Sequence, residues 1–384
     1  MTRLIVRAAM VAGIAMAFGC SSGGSNLPGT PVYANMSGLS ASGTLIGGNV
    51  QNGPFSAKLA NYSASTFKPW SSATIVAPIS ATSNGTGNLF VASFMSHGIY
   101  RIYSGSKIRL HAGSPFGFAG FVNASSSRAA LNYPTSVTSD GTSLYVADSG
   151  NHAIRKIDMF GAVSLLAGAM PASAGHDEGY TDSSLGTLAK FYSPTGLTVV
   201  GTNLYVVDSG NQTIRRINMA TKAVSTVAGS PGSIGSADGD RASARFNQPA
   251  RITSDGSYLY VTDFGNKTVR RISLMTGAVD TIAGRTGVSG TDDGVLGSSR
   301  FKGPNGIATD GVYLYVTDFP YVAKSETVTE GTVRRIKLPP RGATFGTFST
   351  TTISRGLNTP IGITTDGSAL YVTDRNTHTI TVIR

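Results

Sequence analysis

The stretch Leu259–Ile272, LYVTDFGNKTVRRI, reads as two short alternating runs around a Gly-Asn pair. Apolar and polar residues alternate through LYVTD and again through TVRRI, the period of strands with one face buried, and Gly265-Asn266 suits a tight hairpin turn. The chain repeats the pattern. LYVADSGNHAIRKI begins at Leu144 and LYVVDSGNQTIRRI at Leu204, with diverged copies from Leu89, Leu314 and Leu370. Aligned on the aromatic of LYV or LFV, the copies fall at Phe90, Tyr145, Tyr205, Tyr260, Tyr315 and Tyr371, at intervals of 55 to 60 residues. A period this long marks a multi-strand unit, not a helical hairpin or a heptad.

Each unit opens on a proline: Pro78, Pro134, Pro194, Pro249, Pro304 and Pro360. Six residues later stands a turn pair, Asp-Gly in four units and Asn84–Gly85 or Val200–Gly201 in the other two. Small and β-branched residues fill the interval, and a fourth run such as VDTIAG follows the third. Four strands per unit and six units close most simply into an all-β, six-bladed β-propeller of four-stranded antiparallel blades, because radial closure shields sheet edges. The last unit stops at Arg384 after its third strand. The orphan run Thr44–Gly48, TLIGG, resembles the fourth strands elsewhere, so the ring is expected to close with an N-terminal strand. The body is then one domain, residues 41–384, and a ring closed on itself predicts a monomer.

The N-terminus reads as a lipoprotein-type export signal over residues 1–19. A short basic segment with Arg3 and Arg7 precedes an eleven-residue apolar run, too short to span a bilayer permanently. Cys20, the one cysteine in the chain, follows in AFGC, which resembles the lipobox of bacterial lipoproteins. That resemblance implies cleavage before Cys20 and its lipidation; an ordinary secretory signal is the alternative. Residues 20–40, rich in Gly and Ser, form a flexible tether. Ser21 beside the cysteine, by the same resemblance, places the protein at the outer membrane of the cell envelope, facing periplasm or exterior.

The repeating units resemble NHL repeats, and the text between them resembles the bacterial variety: Asp238-Gly239, Arg245-Phe246 and Pro249, then Asp293-Gly294, Arg300-Phe301 and Pro304. The resemblance covers residues 75–384. It implies a six-bladed propeller and leaves function open, since this family includes scaffolds, binders and a few enzymes.

Within the repeat, Asp148, Asp208 and Asp263 precede Arg155, Arg215 and Arg270 by seven residues, and Asp318 with Arg334 makes a fourth pair across an insertion. Blades one and six lack a complete pair, with Ser93 and Tyr100 in one and Thr381 in the other. Mostly joint presence or absence predicts structural ion pairs across a hairpin; a ring of charges for a ligand is the alternative. Residues three before each proline, Ile75, Leu131, Phe191, Phe246, Phe301 and Leu357, are read as blade-to-blade packing. His97, His152 and His378 recur at one repeat position; expected to point outward in different directions, they make a poor cage for one ion.

Chemistry happens once at one place, so an active centre must break the repeat. Strands expected at the channel carry Ser, Thr, Gly and Ala, with one charge, Arg251. No paired carboxylates and no Ser/His/Asp set stand on them. No resident cofactor follows from the residues; Ca or Zn in the central channel belongs to the enzyme alternative, a metal-dependent lyase or hydrolase. Two irregular loops are candidate partner contacts, since binding residues concentrate on loops. One holds His176, Asp177 and Glu178, the other Tyr321, Lys324 and Glu326. Without Arg3 and Arg7 the chain has 29 basic against 20 acidic residues, a charge of +9. An exported protein has no ordinary access to RNA, so nucleic acid is not an expected partner. The charge suits anionic lipid headgroups or polysaccharide. The expectation is a lipid-anchored binding or assembly scaffold for an envelope protein or an anionic polysaccharide.

Overall fold

A computed structural model describes residues 64–67, 75–84, 87–103, 108–169, 178–320, 330–339 and 348–384. Cys20, 44–48, His176, Asp177, Tyr321, Lys324 and Glu326 lie outside the described residues.

Six antiparallel sheets follow one another along the chain. Blade one runs outward through Pro78–Ser83, Leu89–Ser93, Gly98–Ile102 and Ile108–Gly113. The first strands of the later blades are Pro134–Ser139, Pro194–Val200, Pro249–Ser254, Pro304–Thr309 and Pro360–Thr365. Each touches the next, and the last touches the first, so the ring is closed around a central channel. The front face carries the hairpins between second and third strands and the loops that lead to the next blade. The back face carries the Asp-Gly turns and the hairpins between third and fourth strands.

The fourth strand of blade six comes from the N-terminal side, as expected, but from a different segment. Ala64–Phe67 pairs antiparallel with Thr379–Ile383, Ala64 opposite Ile383 and Phe67 opposite Ile380. Resemblance of TLIGG to the other fourth strands therefore named the wrong stretch. An edge strand is selected by its reach to the open edge, which local text does not encode. Blade five adds a short fifth strand, Gly294–Val295, beside Ser349 and Thr350.

The core lies between blades. Leu131 packs with Phe90 and Ile99 of blade one and with Val137 and Leu144 of its own blade. Phe246 joins Tyr205 and Ile214 of blade three to Ile252 and Val261 of blade four. Each LYV tyrosine is buried, and four anchor the back-face turns. Tyr145, Tyr260, Tyr315 and Tyr371 donate to Asp140, Asp255, Asp310 and Asp366 at 2.6–2.9 Å. The same carboxylates accept backbone N–H groups of the turn, as Asp255 does from Ser257 and Tyr258, both at 2.8 Å. Gly256 takes φ 90°, which explains glycine at the pair's second position.

The recurring histidines do not point outward; they are blade staples. His97 Nδ1 accepts the Tyr133 N–H, His152 Nδ1 that of Ser193, and His378 Nδ1 that of Ala77, each at 3.0 Å. Gln212 does the same for Gln248 through Oε1 at 2.6 Å. The donor in each case is the residue just before the next blade's proline, held at φ 48–55°. That strained backbone faces away from the sheet ladder, so a side chain must accept its N–H. The His378 staple joins blade six to blade one across 301 residues of sequence.

His97 is 8% exposed, and burial lowers its pKa. Because the folded value lies below the unfolded one, its contribution is present above about pH 6.5 and lost as pH falls. His97→Gln, copying Gln212, should keep the staple within about 1 kcal/mol at pH 7.5. It should also remove part of the stability loss between pH 7.5 and 5.5. Urea midpoints at the two pH values decide this; identical pH dependence in both proteins would refute it.

Candidate functional site

The expected Asp–Arg pairs form across the hairpin between second and third strands. Nη1 of Arg155, Arg215 and Arg270 donates to Asp148, Asp208 and Asp263 at 2.7, 2.8 and 2.8 Å, and Arg334 reaches Asp318 at 3.4 Å. All four arginines are fully buried, among the largest side chains in the core. Each also does something the seven-residue spacing does not reveal. Nη2 of Arg215, Arg270 and Arg334 grips a second carboxylate, Asp182, Asp238 or Asp293, at 2.6–2.8 Å; Asn123 serves Arg155 at 2.7 Å. The same Nη2 donates to a loop carbonyl, that of Val122, Thr181, Ala237 or Asp292, at 2.8–3.1 Å. Each guanidinium lies over a ring, Phe121, Phe191, Phe246 or Phe301, at 4.3–5.2 Å.

The second acid completes a chain of contacts. Asp182, Asp238 and Asp293 accept the backbone N–H of Thr226, Thr281 and Thr352 on the fourth strand at 2.8–3.1 Å. One arginine thus ties the second strand, the third strand and the loop from the preceding blade, and the loop acid hooks onto the fourth strand. Asp182 belongs to the same long loop as His176, Asp177 and Glu178; a recurring Asp 32 to 41 residues before Arg215, Arg270 and Arg334 is its signature in the sequence. The inner carboxylates are held by further donors: Asp263 accepts Asn247 N–H at 2.8 Å and Asn266 Nδ2 at 2.7 Å. Burial pushes the Asp263 and Asp208 carboxyls up to about 6, with the neighbouring guanidinium opposing it.

Arg251 stands apart. It lies two residues after Pro249, where the other first strands carry Ser80, Ser136, Gly196, Gly306 and Gly362. Small residues are needed there because the first strands converge. A Cβ on Gly196 would meet Arg251 Cα at 2.9 Å, and one on Gly362 would meet the Ile79 carbonyl at 2.6 Å. The Arg251 side chain crosses the channel from blade four. Nη2 donates to the carbonyls of Thr135 at 3.1 Å and Ile79 at 3.4 Å, and Nη1 to that of Ala250 at 3.1 Å. Burial lowers its pKa to about 9. On its back side lies a space of about 50 Å³ lined by both hydroxyl-bearing residues, such as Thr82 and Thr253, and aliphatic ones, such as Leu197 and Ile307. Space on this scale holds water or a small ion, well below the hundreds of Å³ typical of sites for organic ligands. Among the described residues, no three His, Cys, Asp or Glu come together as metal ligands.

The front face gathers the irregular features. Both unusual loops leave it, one after Ala169 and the other after Pro320. Glu178, where the first loop re-enters the described residues, stands 4.0 Å from His152 Nε2 at a blade junction, on a different element from Arg251. Between blades one and two, Phe116 and Phe118 are 78% and 67% exposed with ring centroids 6.0 Å apart. Gly117 between them lies against Ser96, so the pair neighbours exposed Met95 of the blade-one hairpin. Ile234 is likewise exposed, on the blade three-to-four loop. On the back face, Phe160 and Met275 project singly from separate hairpins.

Removing Arg270 leaves Asp263 buried without its cation. Arg270→Ala should cost about 3–5 kcal/mol near neutral pH. A carboxyl with a raised folded pKa stabilises the fold at low pH and loses that contribution as pH rises. The deficit of Arg270→Ala should therefore be greatest at pH 8 and narrow toward pH 5, where Asp263 takes up a proton; urea denaturation across that range is the check.

No protein-family model matches the chain. NHL repeat-containing protein 2 from Homo sapiens is 28% identical over 332 residues, which cover 78% of this chain and 45% of that protein. The Arabidopsis thaliana protein SUPPRESSOR OF QUENCHING 1, chloroplastic, is 33% identical over 138 residues, covering 35% of this chain and 13% of the relative. The chain therefore spans less than half the length of the curated relatives it matches. Among solved structures, a Bacteroides thetaiotaomicron protein of unknown function superposes with a TM-score of 0.57 at 16% identity, covering 84% of this chain and 76% of the other. An auxiliary nutrient binding protein from the same organism superposes at 0.55 and 12% identity, covering 89% and 75%. At these identities the structural likeness speaks for the fold. The six closed antiparallel blades make the chain a six-bladed β-propeller, and its repeats are similar to those of NHL repeat-containing protein 2.

Proposed function

We propose that this protein is a binding and assembly scaffold of the cell envelope, tethered by a lipid at Cys20 and engaging its partner through the front face. The supporting observation is the front-face rim, where Met95, Phe116, Phe118 and Ile234 stay exposed on loops around the same mouth. Exposed aromatics grouped on one rim mark protein interaction surfaces, and Phe is enriched at such interfaces. An envelope protein fits this chemistry better than an anionic polysaccharide, which would call for exposed cations in place of phenylalanines. A binding role is also in keeping with the nutrient-binding relative among the Bacteroides propellers.

The repeat itself argues for scaffold over enzyme. The four buried blade arginines are taken up by internal contacts, each gripping two side chains. Cys20→Ser should move the protein from the membrane fraction to the soluble envelope fraction; unchanged fractionation refutes the anchor. Phe116→Ser with Phe118→Ser should abolish cross-linking to the envelope partner recovered with the native protein while leaving the thermal midpoint within about 2 °C, since both side chains are exposed. Retained cross-linking in that folded variant would overturn the front-face assignment.

A further inference from the structure

The blade clamps use only the first residue of each basic pair. Neighbouring residues of a strand point to opposite faces, so the second residue, Lys156, Arg216, Arg271 or Arg335, leaves the third strand on the side away from its clamp. Each stands in the back half of its strand, opposite Tyr145, Tyr205, Tyr260 or Tyr315. Arg271 pairs with Asp280 at 2.9 Å, and Arg335 lies over the Tyr313 ring at 4.7 Å. Lys156 and Arg216 carry no ion pair among the described residues.

The back rim of blades two to four adds further charge and apolar side chains. Lys222 is exposed in the blade-three hairpin, and the Arg241 side chain lies against Gly277 of the blade-four hairpin. Phe160 and Met275 are 90% and 87% exposed on the hairpins of blades two and four. Leu185, 59% exposed, adjoins Gly186, which lies against Lys222. The acids of this face are held by donors. Asp158 accepts the N–H groups of Phe160 and Ala162, both at 2.9 Å, and Asp240 those of Ala242 and Ser243 at 3.1 and 2.8 Å. Asp140 and Asp255 stand nearer the channel, on the turns between first and second strands, and bind their tyrosines. Exposed apolar tips set among cations suit a surface that enters the headgroup layer of an anionic bilayer.

The closing strand gives the direction of approach. Ala64 pairs with Ile383, and Ile383 also pairs with Leu370, which stands opposite Thr365 beside the Asp366-Gly367 turn. The chain from Cys20 therefore joins the ring at its back end. We infer that the back rim of blades two to four is a docking surface for an anionic phospholipid bilayer. Phe160, Met275 and Leu185 enter the interface, and Lys156, Arg216, Lys222 and Arg241 face the headgroups. The assignment rests on the reading of a lipid-tethered scaffold, and it leaves the front face turned outward to the partner. Each cation close to such a surface contributes about fivefold in affinity, and the effect fades within a Debye length of about 10 Å at 0.1 M salt.

Vesicle sedimentation of the full chain carrying Cys20→Ser tests this surface without the lipid. At about 50 mM NaCl it should bind phosphatidylcholine vesicles containing about 40% phosphatidylglycerol at least tenfold more tightly than pure phosphatidylcholine, and about 500 mM NaCl should abolish the difference. Arg216→Glu with Lys222→Glu should weaken that binding about 100-fold, and Phe160→Ser with Met275→Ser about tenfold. Phe116→Ser with Phe118→Ser, on the other face, should leave it unchanged. Equal binding to both kinds of vesicle, or undiminished binding in either back-rim variant, overturns the docking surface. Binding to polygalacturonate with none to the vesicles does so too, and assigns the cations to a polysaccharide. Fractionation of Cys20→Ser bears on the tether alone: a chain that fractionates unchanged, yet binds these vesicles through the back rim, loses the anchor and keeps the surface.

Discussion

A buried guanidinium holding two side chains on different elements is the interaction on which this ring depends. Arg270 pairs with Asp263 across a hairpin, with Asp238 on the loop arriving from the preceding blade, and with the Ala237 carbonyl beside it. A fully buried charge is costly unless donors and acceptors around it are met, and here the geometry of a planar fork meets several at once. Lysine could not do this, because a single ammonium cannot grip two carboxylates on opposite sides while lying flat on Phe246. The cost of burying the ions is offset by order in the crossover loop, which would otherwise have no packed core of its own.

The clamp acts within the outer half of each blade; histidine and glutamine staples act nearer the channel. Together they hold the crossover loops entering blades two, three and four at both ends. Each is gripped by the arginine beside the fourth strand, and its last residue before the proline donates to His97, His152 or Gln212 of the blade behind. Where the clamp is absent, other contacts stand in. In blade one Ser93 bonds both the N–H and the carbonyl of Val76. In blade six Asp374 accepts the N–H groups of Asn358 and Thr359 without an arginine across the hairpin, where Thr381 stands.

A rigid ring of this kind separates two surfaces. The front face carries the long loops and the apolar rim, and the back face carries the uniform Asp-Gly turns with Tyr hydroxyls anchored on them. That division suits a scaffold, since the blades stay constant while the loops set what is bound.

The strands, the six-fold repetition, the ring and the pairing of Asp148, Asp208, Asp263 and Asp318 with their arginines were legible in the residue pattern. Period and turn chemistry are local properties, and a seven-residue hairpin register is local too. The tertiary structure decided what lies far apart in the chain. It made Ala64–Phe67 the closing strand in place of 44–48, turned the recurring histidines inward as acceptors, and recruited Asp182, Asp238 and Asp293 as second partners. It also laid Arg251 across the channel onto carbonyls 116 and 172 residues away. Those contacts are set by closure of the ring, which brings blade one beside blade six and opposite blade four, and no local pattern of residues encodes that geometry.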